Sequence, residues 1–370
     1  MGRRFLVVGA GPAGLIFALL ARGETTVLEE HPRPGWPPHC TGLVSRATAR
    51  RLERLAHDVV GEEYEAVSFR YGRREVLRLG GYGVIAVRIR RPQLEEELWR
   101  RVLRRGVEVR LRASVRRITR EGCVHLRDGE KLCGDLVVAS TGVSQDALPS
   151  RHRLWRLQGV QAVVEAARRP GESVFQVVYH EEVSPEMFGW IVPLEGRELL
   201  VGLASSRQAF NRLTRLLTLA DKMYGPLKLR YYYGGTVLRG PPRRRHVEGR
   251  VLYLGDAAGM VKPYTGGGLY AVSVTAPLAA LLASRGAEGA YDGAVEWIKE
   301  QLAAQYRLTR LAYVLGPRGT AAALESIRRA GLEDEVSRRI DYDSHEGLFR
   351  LLLPSIHRLL PGMAASLAGF

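Results

Sequence analysis

Residues Arg4–Glu30, RFLVVGAGPAGLIFALLARGETTVLEE, decide the fold. Phe5–Val8 is a short apolar run of strand formers. Gly9, Gly11 and Gly14 then spell G-x-G-x-x-G, and Leu15–Ala21 continues as a helix of small and apolar residues. Thr25–Leu28 is a second strand with Glu29 at its C-terminal end. Gly9 permits the sharp exit from the strand, Gly11 lets a pyrophosphate approach bare backbone, and Gly14 lets the helix pack closely on the sheet. Ala13 lies in the first helical turn, where free N–H groups and the positive dipole end face an anion. Glu29, twenty residues beyond Gly9, is placed to accept ribose hydroxyls. Strand, glycine turn, helix and acid at this spacing predict a dinucleotide-binding βαβ unit.

The rest of the chain is consistent with a two-domain globular protein. Its 370 residues suffice for a full core. No run approaches the ~18 apolar residues of a membrane span, and the glycine turn argues against reading the N-terminus as a signal peptide. Cys40, Cys123 and Cys133 are few and lack zinc-type spacing, which suits reduced thiols in a cytoplasm and no metal site. The net charge of +16 is unusual. It suits an anionic lipid surface, a diphosphate substrate or an acidic electron carrier, or it is a dispersed solvated surface. The basic residues are scattered, apart from Arg243-Arg244-Arg245, and no nucleic-acid motif accompanies them.

Proline and glycine make His31–Ser45 a loop, on the side of a doubly wound sheet that faces the ligand. Cys40 sits there before a helix, Arg46–Leu55, and reads either as a site thiol or as a packed one. Short β-like runs within Ala66–Ile89 suggest an antiparallel insertion. Arg90–Leu103 is an amphipathic helix, and Gly134–Gly142 holds a buried strand. Closely spaced strands from Gly159 to Ala204, without crossover helices, predict an antiparallel sheet. Alternation puts Tyr231 and Tyr233 on one strand face and Tyr232 on the other, as core or as pocket wall. Arg250–Leu254 returns the chain to the nucleotide domain. Leu348–Leu360, apolar on more than one face, reads as a helix that packs on the body, covers a lipid tunnel or dips into a membrane surface.

Together with Arg91-x-x-Leu94-Glu95 and Gly255-Asp256-Ala257-Ala258, the fingerprint resembles the flavoprotein group that includes para-hydroxybenzoate hydroxylase. Within it, Gly255–Gly268, GDAAGMVKPYTGGG, is similar to the GDAAG-x-x-x-P-x-TGGG segment of the geranylgeranyl reductases, including those acting on digeranylgeranylglycerophospholipid. Pro185-x-x-Phe188-x-Trp190-x-Val192-Pro193 resembles that family's P-x-x-Y-x-W-x-F-P element, with Phe188 for its Tyr and Val192 for its Phe. The Cys40-x-Gly42 loop fits as well.

The resemblance implies an α/β fold. A discontinuous Rossmann-like FAD-binding domain (1–65, 90–150, 246–288) would carry an antiparallel-sheet α+β substrate domain (66–89, 151–245) and a helical C-terminal region (289–370). It implies FAD held by Gly9, Gly11, Ala13, Gly14, Glu29, Arg91, Gly255, Asp256, Pro263, Thr265, Gly266, Gly267 and Gly268. Cys40 is the expected catalytic residue, with a flavin-bound water or Tyr264 as the alternative proton donor, and Phe188, Trp190 and Pro193 line the substrate channel. The expected activity is saturation of C=C bonds in a geranylgeranyl chain, on a diphosphate or an archaeal-type ether lipid. Electrons would come from ferredoxin or NAD(P)H, with peripheral contact at an anionic membrane. Ser140-Thr141-Gly142 lacks the Asp-Gly pair usual in the related hydroxylases. A flavin monooxygenase and a quinone-reducing electron-transfer flavoprotein stand as rivals. A basic flavoprotein that binds RNA or membrane and uses FAD structurally is a third.

Overall fold

The computed structural model describes residues 2–36, 40–170, 173–344 and 356–369. Strand β1 (Arg4–Val8) runs into helix α1 (Pro12–Leu20) and then β2 (Glu24–Leu28), which pairs parallel to β1. β1 is central in a six-stranded sheet, with Leu136–Ala139 on its other side and Val251–Tyr253 beyond. Glu108–Arg110 adds to β2 in parallel, and the short Val247–Glu248 edge is antiparallel. Central parallel strands are covered on both faces, which is why these segments are continuous apolar runs without alternation.

Helix α1 is apolar around its circumference because Ala13–Ala18 are buried on every side. It packs against α3 (Arg91–Arg104) and α5 (Leu269–Ser284), and Leu15, Ile16 and Phe17 are fully buried. Each of those side chains contributes on the order of 2 kcal/mol of transfer free energy. Helix α2 (Arg46–Leu55) begins at Ser45, whose Oγ accepts from Thr48 N.

The second sheet has seven strands. In spatial order they are Leu227–Arg239, Trp155–Ala166, Glu198–Ser205, Gly189–Pro193, Val174–Tyr179, Ala66–Tyr71 and Arg74–Gly80. The predicted antiparallel sheet needs one correction: Val174–Tyr179 and Ala66–Tyr71 pair in parallel. The hairpin 66–80 comes from an earlier part of the chain and joins at an edge, so its direction is not set by a tight turn. The last strand of the predicted insertion, Ala86–Ile89, instead pairs with Leu43–Val44 and Val60–Tyr64 in a small sheet.

Period-two alternation sorts this sheet's residues. Ala162, Val164, Ile191, Val201 and Leu203 face helix α4 (Ala209–Tyr224). Val163, Phe175, Phe188, Val192 and Leu200 face the opposite way, toward C-terminal helices. Those are α7 (Glu296–Arg329), α8 (Glu333–Arg339) and, packed on α7, α9 (Ile356–Gly369), which follow the single turn α6 (Tyr291–Ala294). α7 is broken at Gly316 (φ 65°) before Pro317. Of the apolar stretch Leu348–Leu360, residues 348–355 lie outside the described residues. Among the described residues no helix is long and apolar enough to cross a membrane.

The cysteine reading is also corrected. Cys123 and Cys133 form a disulfide, directly opposite each other on an antiparallel hairpin, and Cys40 alone is free. Ten residues of separation looked uninformative in the sequence; a tight hairpin brings the two thiols into register.

Candidate active site

The glycine turn shows three separate reasons for glycine. Gly9 has φ +100°, and a Cβ there would meet the Ser140 carbonyl at 2.4 Å. A Cβ on Gly14 would meet the Gly9 carbonyl at 2.1 Å and Ser140 Oγ at 2.6 Å. A Cβ on Gly11 would meet no atom within 4 Å, because that side of the turn is open cavity. Ser140 Oγ donates to the Val8 and Gly9 carbonyls and holds the turn against the neighbouring strand. Pro12 occupies the first helical position, so the first-turn amides, Ala13 among them, have no intrahelical acceptor. The Glu29 carboxylate accepts from Ala10 N at 2.7 Å and from His31 N and Nδ1, and it lines the same cavity.

On the opposite wall, Gly255 and Asp256 start a 3-10 turn after the strand Val251–Tyr253. A Cβ on Gly268 would lie 3.0 Å from Asp256 Oδ1. Gly266 (φ +73°) leaves room for Val237, which a Cβ would meet at 2.3 Å. Two backbone hydrogen bonds, Lys262 N to Gly267 O and Gly266 N to Lys262 O, close this loop at the start of α5. Thr265 Oγ1 and Arg91 Nε are buried and have no hydrogen-bond partner among the described residues. Arg91 opens α3, and burial opposes its charge. Glu95 and the Cys40 thiol outweigh that and hold the guanidinium above its ordinary value. An orphaned donor at Thr265, another at Arg91 beside Cys40, bare backbone at Gly11 and first-turn amides of two helices suit a long anionic dinucleotide.

The cavity, about 580 Å³, continues past this cradle into an apolar compartment. Phe188 and Trp190 project into it from one face of their strand, with ring centroids 6.3 Å apart. Phe69, Phe175 and Val177 line it too. Trp190 Nε1 and Thr41 Oγ1 both donate to Gln161 Oε1, at 3.1 and 2.7 Å. Tyr342, far along the chain, packs its ring on Phe175 and closes one side.

Cys40 lines the cavity beside Arg91, as do Gly9, Gly11, Ala13, Glu29, Arg91, Gly255, Asp256, Thr265 and Gly266–Gly268. Three residues singled out in the sequence do not. Gly14 is used for helix packing. The Pro263 carbonyl accepts from Arg239 Nε, which anchors the loop from behind. Pro193 shares a strand face with Ile191, away from the cavity, and its carbonyl accepts from Tyr64. The odd spacing from Trp190 to Pro193 required that outcome. Gln161 was missed, although a Gln flanked by Val160 and Ala162 inside a strand is a recognisable signal. The partners of Tyr264 and Lys262 were missed as well, and only the tertiary fold brings them together.

A family model described as lycopene cyclase protein matches residues 5–212. A digeranylgeranylglycerophospholipid reductase of Methanopyrus kandleri is 27% identical over 71% of this chain and 76% of its own. An uncharacterized protein of Methanocaldococcus jannaschii is 23% identical over 72% and 70%. Among solved structures, a geranylgeranyl bacteriochlorophyll reductase-like protein from Thermoplasma acidophilum superposes with a TM-score of 0.69 at 17% identity. That match covers 98% of this chain and 99% of the other. A p-nitrophenol 4-monooxygenase from Pseudomonas putida gives 0.64 at 18%, covering 96% and 97%. The chain thus belongs to the lycopene cyclase protein family, as a member similar to the geranylgeranyl reductases.

Proposed function

We propose that the protein is an FAD-dependent reductase that saturates C=C bonds of a geranylgeranyl chain, carried on a diphosphate or an ether lipid. The observation that carries this reading is the joining of two compartments in one cavity. A polar cradle with the fingerprint geometry opens directly into a chamber walled by Phe69, Phe175, Phe188 and Trp190. Bound FAD, once reduced, supplies a hydride. Gly11 and α1 would hold the phosphates, Glu29 the ribose, and the start of α5 the isoalloxazine edge, where the helix dipole favours negative charge. The aromatic chamber excludes water and fixes an otherwise unreactive alkene against the cofactor. Cys40 and Tyr264 are among the acids that line the cavity. Electrons would enter from ferredoxin or NAD(P)H, and the +16 charge favours acidic donors and anionic membranes as contacts.

The names of its relatives support this reading, and the fold it shares with monooxygenases keeps an oxygenase as the second. One anaerobic experiment separates them. Protein reduced with dithionite is mixed with geranylgeranyl diphosphate or an unsaturated ether phospholipid, and the lipid is examined by mass spectrometry. Stepwise gain of hydrogen pairs with flavin reoxidation is the expected result. Unchanged lipid with FAD bound and reduced would reject the reductase, and oxygen consumption and quinone reduction would then be measured.

A further inference from the structure

Tyr264 stands between Pro263 and Thr265, at the entrance to the glycine run, and lines the cavity. Its ring lies 5.6 Å from that of Phe188. Its hydroxyl shares a hydrogen bond with Tyr179, whose own ring packs on Phe188 at 6.0 Å. Behind them is Arg239, only 1% exposed. Among the described residues its guanidinium hydrogen-bonds carbonyl oxygens, Nε donating to Pro263 O at 2.8 Å and NH1 to Glu186 O, and it lies 6.0 Å from the centre of the Trp155 ring. A buried cation without a carboxylate in contact is costly. This one faces two phenols.

Burial raises both phenols above their ordinary value. The Arg239 charge favours the ionised form of both. Position separates them: of the pair, Tyr264 is the one that lines the cavity. The other groups acting on Arg239 are the Glu186 carboxylate and Tyr306 of α7. Glu186 is itself engaged with Ser205 and Ser206.

We propose that Tyr264 is the proton donor of the reaction, an inference that rests on the reductase reading above. One alkene carbon receives the hydride from reduced flavin. The other takes the proton from Tyr264 Oη as the C=C π bond becomes two C–H bonds. The O–H bond breaks and its electron pair stays on Oη. Tyr179 donates to that phenolate, Arg239 balances its charge, and water restores the proton after product leaves. Tyr179 and Arg239 are positioning residues, since they act through Tyr264.

The test is single-turnover reoxidation of FAD-loaded, pre-reduced protein by geranylgeranyl diphosphate, for wild type, Tyr264→Phe, Tyr179→Phe and Cys40→Ala. Tyr264→Phe should slow reoxidation ~100-fold, the scale of a lost general acid, while FAD affinity stays within about threefold of wild type. It should also change the solvent isotope effect. Tyr179→Phe should lose less and shift the alkaline limb of the pH profile. In apoprotein carrying ring-labelled tyrosine, the NMR resonance missing from Tyr264→Phe should shift in Tyr179→Phe, because the two hydroxyls share a hydrogen bond.

A Tyr264→Phe rate within threefold of wild type would overturn the proposal. So would a slow rate with an unaltered isotope effect, which marks a structural loss, or transfer of the whole signature to Cys40→Ala. Wild-type protein that leaves the lipid unchanged would remove the reductase reading itself, and this inference with it.

Discussion

The Lys262 ammonium and the Asp343 carboxylate meet at 2.7 Å, each side chain 2% exposed. Lys262 also bonds the Tyr342 carbonyl and lies 4.2 Å from the centre of its ring. The second Asp343 oxygen accepts from Ser45 N and Thr48 Oγ1. One buried ion pair thus joins the Lys262–Gly267 loop, the start of α2 and the chain beyond α8.

Removing one partner leaves the other charged and buried. Asp343→Asn and Lys262→Met should each cost about 3 kcal/mol. Replacing both, Lys262→Met with Asp343→Asn, should cost less than the sum. Denaturant midpoints of the four proteins close that cycle, and strict additivity would show that the pair is not coupled.

The same carboxylate sets an acid limit. Burial pushes the Asp343 carboxyl up, but Lys262, Thr48 and Ser45 outweigh it and hold the group below the ordinary carboxylate value. A lowered folded-state pKa contributes stability that is complete above the unfolded value and is lost as pH falls through the folded one. Stability of wild type should therefore fall with acid below the normal carboxylate range, and Asp343→Asn should show a shallower slope there. Equal slopes in urea melts across that range would contradict the assignment.

Gly11 and Gly14 should part company on substitution. Gly11→Ala adds a methyl to empty cavity, so apoprotein stability should change by less than about 0.5 kcal/mol. FAD affinity should fall ~10-fold, as the methyl meets the pyrophosphate. Gly14→Ala forces a clash with Gly9 and Ser140 and should cost about 2 kcal/mol or more without ligand. Thermal melts with and without FAD read both.

Gln161 holds Trp190 and Thr41 through one oxygen. Gln161→Leu leaves both donors unpaired, a penalty of roughly 1–3 kcal/mol. The lipid KM should rise while FAD affinity is unchanged. A loss confined to FAD binding would place Gln161 in the cradle instead.

Cysteine chemistry offers a direct map of the cavity. In native, unreduced protein one thiol should react with a small reagent, and three after reduction and unfolding. FAD should protect Cys40 from alkylation. Equal alkylation rates with and without FAD would put Cys40 outside the cofactor's reach.

The N-terminal unit was legible because glycine spacing, strand length and the Glu29 position each have a local cause. Phe188 and Trp190 were legible from alternation, and the same rule excludes Pro193. The Tyr264–Tyr179–Arg239 group was not, because its members come from a loop and two strands of different sequence neighbourhoods. Asp343 carries no local signal at all: a carboxylate in a polar stretch near α8 looks solvated until Lys262 is placed against it. The disulfide was lost to an argument from compartment, where hairpin register was the stronger constraint.

The strand Leu136–Ala139 pairs with Val251–Tyr253, and five of the seven strands of the second sheet, from Trp155 to Arg239, are encoded between them. During synthesis the first half of the nucleotide sheet must wait, with Leu136–Ala139 as an unpaired apolar edge, until that sheet has emerged. Distant pairings of this kind are slow to form and exposed to aggregation. Maturation should therefore have an order: the inserted sheet folds first, and Val251–Tyr253 then closes the nucleotide sheet. Only after that can the Gly255–Gly268 wall stand opposite the fingerprint turn, so cofactor capture should be a late event in the life of the newly made chain.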